Sequence, residues 1–353
     1  MQQVYLIITK KCNLSCNFCI RDYNYNVDGN LSINDFNLVI ERFKCYGKVS
    51  NFIISGGEPT VHKNFNYFLK KACETFDTVT INSNGTNKYW TTQDFIYFIS
   101  KHKIRIQFSI DGAEEIHDAI RGKGSYQKTL NNIILCSKYS NITLIISTTV
   151  ASFDFINNFN YLYSDLAPYV SKWDIKRVSY SGEASAENFD YLTNSKWNEI
   201  VDYVKQFDDK NLVNIHKMYD FDILHHISDE KIEVMQSRVV KNCGSGTSKI
   251  YIYPNLDVLA CTCYEKYPSG NLKDTDVKSI LSSVQHKKIV AHEIDDSVCN
   301  SCRYKKICNG GCLGAGFYST GSLNVADMKC PKVYSALIKE QVVTTKLINC
   351  VKI

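Results

Sequence analysis

VYLIITKKCNLSCNFC, residues 4–19, decides how the chain is read. Its first part, Val4 to Thr9, is a short aliphatic and β-branched run with the character of a buried strand. Its second part places Cys12, Cys16 and Cys19 in one tight loop directly behind that strand. A four-iron cluster takes four ligands, usually cysteine, so three thiolates from one loop leave one iron open to a chelating small molecule. A zinc site is the other reading of three close cysteines.

Working outward, apolar runs at Phe52 to Ser55, Val79 to Asn82, Ile104 to Ile110, Ile142 to Val150 and Trp173 to Val178 predict five more strands. Between them, Ser32 to Tyr46 puts Phe36, Val39, Ile40 and Phe43 on one helical face, with Ser32 as N-cap and Gly47 as stop. Thr92 to His102, Tyr126 to Ser140 and Asp154 to Leu166 repeat that pattern. Strands alternating with helices predict an α/β fold, a parallel sheet with right-handed crossovers forming a partial (β/α)6, TIM-like barrel. In such barrels the reacting groups gather at the C-terminal strand ends. Gly56-Gly57-Glu58-Pro59 follows strand two, Asn82-Ser83-Asn84-Gly85 follows strand three, and Ser109-Ile110-Asp111-Gly112 ends strand four. With the cysteine loop, four motifs converge on one mouth.

Beyond Val178, Ser181 to Asn194 reads as a polar loop, Ser195 to Phe207 as a helix and Phe221 to Val240 as a helical linker. A boundary near Val240 is expected, dividing a core at 1–240 from a small cysteine-rich domain at 241–353. In the latter, Lys249 to Tyr253 and Asp257 to Ala260 predict a hairpin, and Pro331 to Ile348 a closing helix.

A chain of 353 residues suits two domains or a barrel with an appendage. Its net charge of +5 is spread without runs of one sign, so nothing calls for a nucleic-acid partner. The absence of an apolar stretch of about 18 residues or a secretory signal predicts a cytoplasmic protein with no membrane partner. Fifteen cysteines in that compartment are read as metal ligands before disulfides. Three lie between Cys12 and Cys19 and eight between Cys243 and Cys330; Cys45, Cys73 and Cys136 fall in predicted helices and read as core, and Cys350 carries no signal.

The CxxxCxxC triplet behind the first strand, with Phe18 as the aromatic before its last cysteine, resembles the signature of the radical S-adenosylmethionine (SAM) superfamily. Together with the GGEP segment the resemblance covers about two-thirds of the chain. It implies reductive cleavage of SAM to methionine and a 5′-deoxyadenosyl radical that abstracts hydrogen from a substrate. It assigns Cys12, Cys16 and Cys19 to a 4Fe-4S cluster, and Gly56, Gly57 and Glu58 to the methionine amine. It assigns Ser109 and Asp111 to the ribose or carboxylate of SAM, with Asn84 in the neighbouring turn and Arg121 facing a carboxylate.

The array Cys299-x2-Cys302-x5-Cys308-x3-Cys312, then Cys330, with Cys243 and Cys261 upstream, resembles the SPASM domain found behind many such cores. By that resemblance Cys299, Cys302, Cys308 and Cys330 hold one auxiliary 4Fe-4S cluster, while Cys243, Cys261 and Cys312 belong to a second. Cys263 either completes the second cluster or is a free hydrogen donor, as in radical SAM peptide epimerases. A zinc module is the alternative for the whole array. Two positions depart from the family. Leu256 stands where the GxxxxC segment ending at Cys261 usually has glycine. Thr262 replaces a proposed catalytic Asp of the anaerobic sulfatase maturases, which argues against formylglycine formation.

Proteins with this pair of domains act mostly on peptides and proteins, so the resemblance implies a peptide maturase of the anaerobic sulfatase maturase and ribosomal-peptide-modifying type. Its product would be a crosslink, thioether, epimer or oxidised residue. The alternative is modification of a protein or a small cofactor precursor. A non-enzymatic iron–sulfur or zinc scaffold is disfavoured, because a structural cluster gains nothing from an open iron. A reductant such as flavodoxin or ferredoxin is an expected partner. The chain starts almost at strand one, so a separate leader-binding protein is a further expected partner.

Overall fold

The computed structural model describes residues 1–20, 29–179, 182–184, 192–215, 228–236 and 243–336. Seven strands lie side by side and parallel: β1 (Gln3–Ile7), β2 (Asn51–Ser55), β3 (Val79–Ser83), β4 (Ile104–Ser109), β5 (Ile142–Val150), β6 (Lys172–Arg177) and β7 (Val213–Ile215). The helices between them are α1 (Ile33–Tyr46), α2 (Phe65–Thr75), α3 (Gln93–Ile99), α4 (Glu114–Arg121), α5 (Ser125–Cys136), α6 (Phe159–Leu166) and α7 (Asn194–Phe207). This is the partial-barrel order expected of a (β/α)6 core, extended by the short β7. On the other edge β8 (Lys249–Ile252) runs parallel to β1, and β9 (Asp257–Leu259) and β10 (Gly270–Asn271) continue antiparallel, completing a ten-stranded sheet.

Successive side chains of each strand point to opposite faces, and one of those faces meets the helices. Val4, Leu6, Phe52, Ile54, Ile106 and Phe108 are buried in one apolar cluster with α1, α2 and α3. The opposite face is polar and wetter: Arg105, Gln107 and Ser109 of β4 are all at least partly open. That inner face supplies the room into which the strand-end motifs look. Helix α1 begins as its sequence requires, Ser32 Oγ accepting from the Asp35 N–H at 3.0 Å, and ends at Gly47, whose φ of +108° suits glycine.

Two compact units emerge, one of Met1–His216 with Ser245–Val290, the other of Lys217–Gly244 with Ala291–Ile353. A single cut near Val240 does not follow them, because β8 belongs to the barrel sheet, Gln3 pairing with Lys249 and Leu6 with Ile252. The second unit is built on short helices, Ser297–Asn300, Lys305–Cys308 and Leu313–Thr320, around Ile294, Leu313, Ala326 and Val333.

Helix α4 and strand β7 were not anticipated, and α2 only as a helix of unstated bounds around Cys73. Asp154 to Leu166 is not one helix: a 3-10 turn at Phe153–Ile156 precedes α6, and Asn158 between them is left-handed, with φ +60°. Cys45 is exposed rather than core, since α1 buries Phe36, Val39, Ile40 and Phe43; Cys136 is buried and Cys73 partly so. Of the linker at Phe221 to Val240 only the helix Asp229–Gln236 is described, and of the closing helix only 331–336; their remainders and most of Ser181 to Asn194 lie outside the described residues. Among the described residues no helix is long and apolar enough to cross a membrane.

Candidate active site

The cysteine loop is fixed by the backbone of its neighbours before any side chain is considered. Gly57 N–H donates to the Thr9 carbonyl at 2.8 Å and Glu58 N–H to that of Lys11 at 2.9 Å, so the segment after β2 lies directly against the chain leading to Cys12. A Cβ at Gly56 would stand 2.7 Å from the Thr9 oxygen, and one at Gly57 2.7 Å from the Lys10 oxygen and nearer still to that of Lys11. Only glycine permits this approach. On its far side the loop is held by Asn17 N–H donating to the Ile120 carbonyl at 3.2 Å, and by Glu183 N–H donating to that of Cys19 at 2.8 Å.

Glu58 is fully buried. Its Oε1 accepts from the Thr60 N–H, the Thr60 hydroxyl at 2.6 Å and the Ser83 hydroxyl at 2.9 Å, and its Oε2 from the Asn84 N–H at 2.8 Å. The carboxylate therefore ties the β2 loop to the β3 loop. Burial pushes its pKa up, against the pull of those donors. Asn84 carries the tie onward, Nδ2 donating to Asn13 Oδ1 at 2.9 Å and lying 3.7 Å from Cys12 Sγ.

Asp111, also buried, closes the site on the β4 side. Its Oδ2 is paired with Arg121 Nε of α4, and its Oδ1 accepts from the Thr149 N–H at 2.9 Å. The Arg121 guanidinium lies 5.7 Å from the centroid of the Phe18 ring, so a residue of the cysteine loop and the Asp111 pair are in contact through one cation. His117 holds the Asp111 backbone, its Nδ1 accepting that N–H at 3.1 Å; burial drops its pKa to about 4, so the ring is neutral near pH 7. Ser109 sits partly buried at the end of β4. Each barrel residue singled out from the sequence is thus at this one end of the sheet. His117, Thr149 and Lys10 were missed: Lys10, which pairs with Glu265 and lies 5.2 Å from the Tyr253 ring, anchors the loop to the β8–β9 hairpin. A lysine two residues before the first cysteine was its only signal.

Soft thiolates are the ligand type that iron–sulfur clusters take, although among the described residues no three Cys, His, Asp or Glu side chains are gathered closely enough to hold a metal ion. Cys12 is exposed, Cys16 buried and Cys19 partly open. Burial raises Cys16 to about 11, with Arg121 pulling the other way, so binding iron has to displace a proton there. In the second unit one cavity is lined by Cys299, Cys302, Cys308 and Cys330, with Val298, Ala326 and Val333 supplying apolar walls. Burial raises Cys299 and Cys308 to about 12. Four soft ligands around one apolar cavity fit a cluster, and Cys312 is not among its lining residues. Asp327 braces Cys312 separately, its Oδ2 accepting the Cys312 N–H at 3.1 Å.

Cys261 and Cys263 lie in the first unit, Cys261 just before and Cys263 within the 3-10 turn Thr262–Tyr264, and Cys243 in the second. The neighbouring Cys263 thiol draws the Cys261 pKa down, against the effect of burial. Leu256 takes the left-handed conformation that glycine would supply, with φ +70°, and its fully buried side chain offsets the strain. The left-handed backbone is thus held by leucine rather than glycine.

Two family profiles match the chain: the Radical SAM superfamily over residues 6–151, and the iron–sulfur cluster-binding SPASM domain over residues 243–303. The mycofactocin maturase MftC of Mycolicibacterium smegmatis is 26% identical, over 95% of this chain and 84% of that protein. The sporulation killing factor maturation protein SkfB of Bacillus subtilis is 32% identical, but over 41% of this chain and 35% of that one. Among solved structures, Streptococcus suis SuiB bound to the precursor peptide SuiA superposes with a TM-score of 0.74 at 17% identity, covering 93% of this chain and 75% of that one.

Proposed function

Because the chain belongs to the radical SAM superfamily and carries a SPASM domain, we propose that this enzyme matures a peptide by abstracting hydrogen from one of its residues. A 4Fe-4S cluster held by Cys12, Cys16 and Cys19, with SAM, would supply the radical. The observation that carries the reading is the union of the three-cysteine loop, the glycine cradle and the Asp111–Arg121 pair at one end of a parallel sheet.

The chain's own residues divide the work. Cys12, Cys16 and Cys19 bind the cluster. The backbone at Gly56 and Gly57 leaves space for the methionine end of SAM. Glu58 and Asn84 act as positioning residues that hold the β3 loop against Cys12. Ser109, Asp111 and Arg121 orient the ribose and carboxylate, and Phe18 shields the loop from water beneath the guanidinium. Cys299, Cys302, Cys308 and Cys330 hold one auxiliary cluster, supported by their common cavity. Cys243, Cys261, Cys263 and Cys312 are assigned to the other. Cys263, two residues beyond Cys261 in the chain, is taken as a ligand rather than a free hydrogen donor because two four-cysteine clusters need eight thiolates. The peptide reading is supported by the likeness of fold to a protein solved with its precursor peptide. Placement in the cytoplasm, reduction by a flavodoxin or ferredoxin, and help from a leader-binding protein complete the proposal.

The test is anaerobic incubation of dithionite-reduced, cluster-loaded protein with SAM and short peptides encoded beside its gene. Formation of 5′-deoxyadenosine with a mass change in one peptide is expected. Turnover of SAM with a change only in a folded protein or small metabolite would replace the peptide reading, and no SAM cleavage would remove the radical one.

A further inference from the structure

The inner face of the sheet carries positive charge that its own carboxylates do not take up. On β6, Trp173 and Ile175 are fully buried on the helix side, which leaves Lys172, Asp174 and Lys176 facing inward. Lys172 Nζ lies 2.8 Å from Asp174, whose Oδ1 also accepts from Asn214 Nδ2 at 2.6 Å. Asp111 is committed to Arg121 and the Thr149 N–H. Lys176 is the register partner of Thr149, so it stands beside that occupied carboxylate. No hydrogen bond or ion pair reaches its ammonium among the described residues, and Lys249 adds a second cation to its surroundings. The side chain is exposed, and its surroundings nevertheless push its pKa down, partly offset by Asp111.

An ammonium at the C-terminal end of a barrel strand, on the inner face beside the Asp111–Arg121 pair and without its own counter-ion, is placed to meet an anion brought in with a ligand. We propose that Lys176 receives a carboxylate of the substrate peptide, either an Asp or Glu side chain or the chain terminus, and so selects acidic peptides. This rests on the peptide reading above. The carboxylate of SAM is the competing source, and Arg121, beside the cysteine loop, is placed to take it.

Calorimetric titration of acetylated tetraglutamate amide and tetraglutamine amide into cluster-loaded protein tests the assignment, using the native chain, Lys176→Arg and Lys176→Gln. The native protein with SAM bound should prefer tetraglutamate by about ten-fold or more, which corresponds to about 1.4 kcal/mol. Lys176→Arg should keep the preference and Lys176→Gln should lose it. Equal binding of both peptides by the native chain, or an unchanged preference in Lys176→Gln, overturns the proposal. So does tetraglutamate binding that SAM abolishes, since the carboxylate would then be that of SAM. Reductive SAM cleavage, recorded on the same preparations, reports separately on the radical reading, and its failure leaves the binding comparison intact.

Discussion

Gly57→Ala tests whether close backbone approach builds the cluster loop. Gly57 is not among the residues with positive φ, so alanine is tolerated by the local backbone and the effect must come from space. The new methyl would lie 2.7 Å from the Lys10 carbonyl oxygen and nearer still to that of Lys11, where contacts under 3.0 Å essentially never occur. Both neighbours are backbone, so the segment leading to Cys12 has to retreat by roughly 1 Å to restore ordinary contact. Overpacking of this kind costs about 1–3 kcal/mol. A misplacement of about 1 Å at a reacting centre costs on the order of 100-fold in rate. The assay is 5′-deoxyadenosine formation under dithionite, with electron paramagnetic resonance of the SAM-site cluster and iron content of the whole protein. We expect turnover to fall about 100-fold while the auxiliary iron stays in place. Native turnover within a few-fold, with an unaltered SAM-site signal, would refute the argument that the glycine is there for approach.

Three further outcomes follow from single residues. The pKa of His117 is lowered from 6.5 to about 4, so its neutral form is favoured in the fold; that stabilisation is present above about pH 6.5 and lost as pH falls toward 4. It is worth up to about 3 kcal/mol, so urea unfolding of apoprotein at pH 7 and pH 4.5 should show a smaller acid-side loss in His117→Asn, and parallel losses would show that His117 is not responsible. Leu256→Gly relieves about 1 kcal/mol of left-handed strain but deletes a buried side chain worth about 2–5 kcal/mol; net destabilisation of a few kcal/mol is expected in urea, and a neutral or stabilised variant would show that burial does not hold the turn. Cys308→Ala should remove about four irons and leave the SAM-sensitive signal unchanged; undiminished iron would exclude Cys308 as a ligand.

Much of the barrel was legible because parallel strands backed by helices read as apolar runs, and α1 declares itself through Ser32, its buried face and Gly47. The short β7, with no strongly buried residue, and α4, where His117 is the one buried residue, carry too little apolar periodicity to be found that way. The place of β8 was hidden for another reason: pairing with β1 across more than two hundred residues is not a local property. The site motifs were legible individually, since CxxxCxxC and GGEP depend on ligand chemistry and backbone approach. Their connections were not. That Glu58 spends its carboxylate on Thr60, Ser83 and Asn84, and that His117 sets Asp111, are consequences of tertiary packing.

The most direct test of the account is iron and sulfide content, with electron paramagnetic resonance in the presence and absence of SAM, for the native chain and a variant with Cys12, Cys16 and Cys19 all changed to Ala. Three four-iron clusters predict about twelve irons falling to about eight, with loss of a SAM-sensitive signal. Zinc in the C-terminal cysteine array would contradict the auxiliary clusters, and a native protein whose spectrum ignores SAM would contradict the radical chemistry itself.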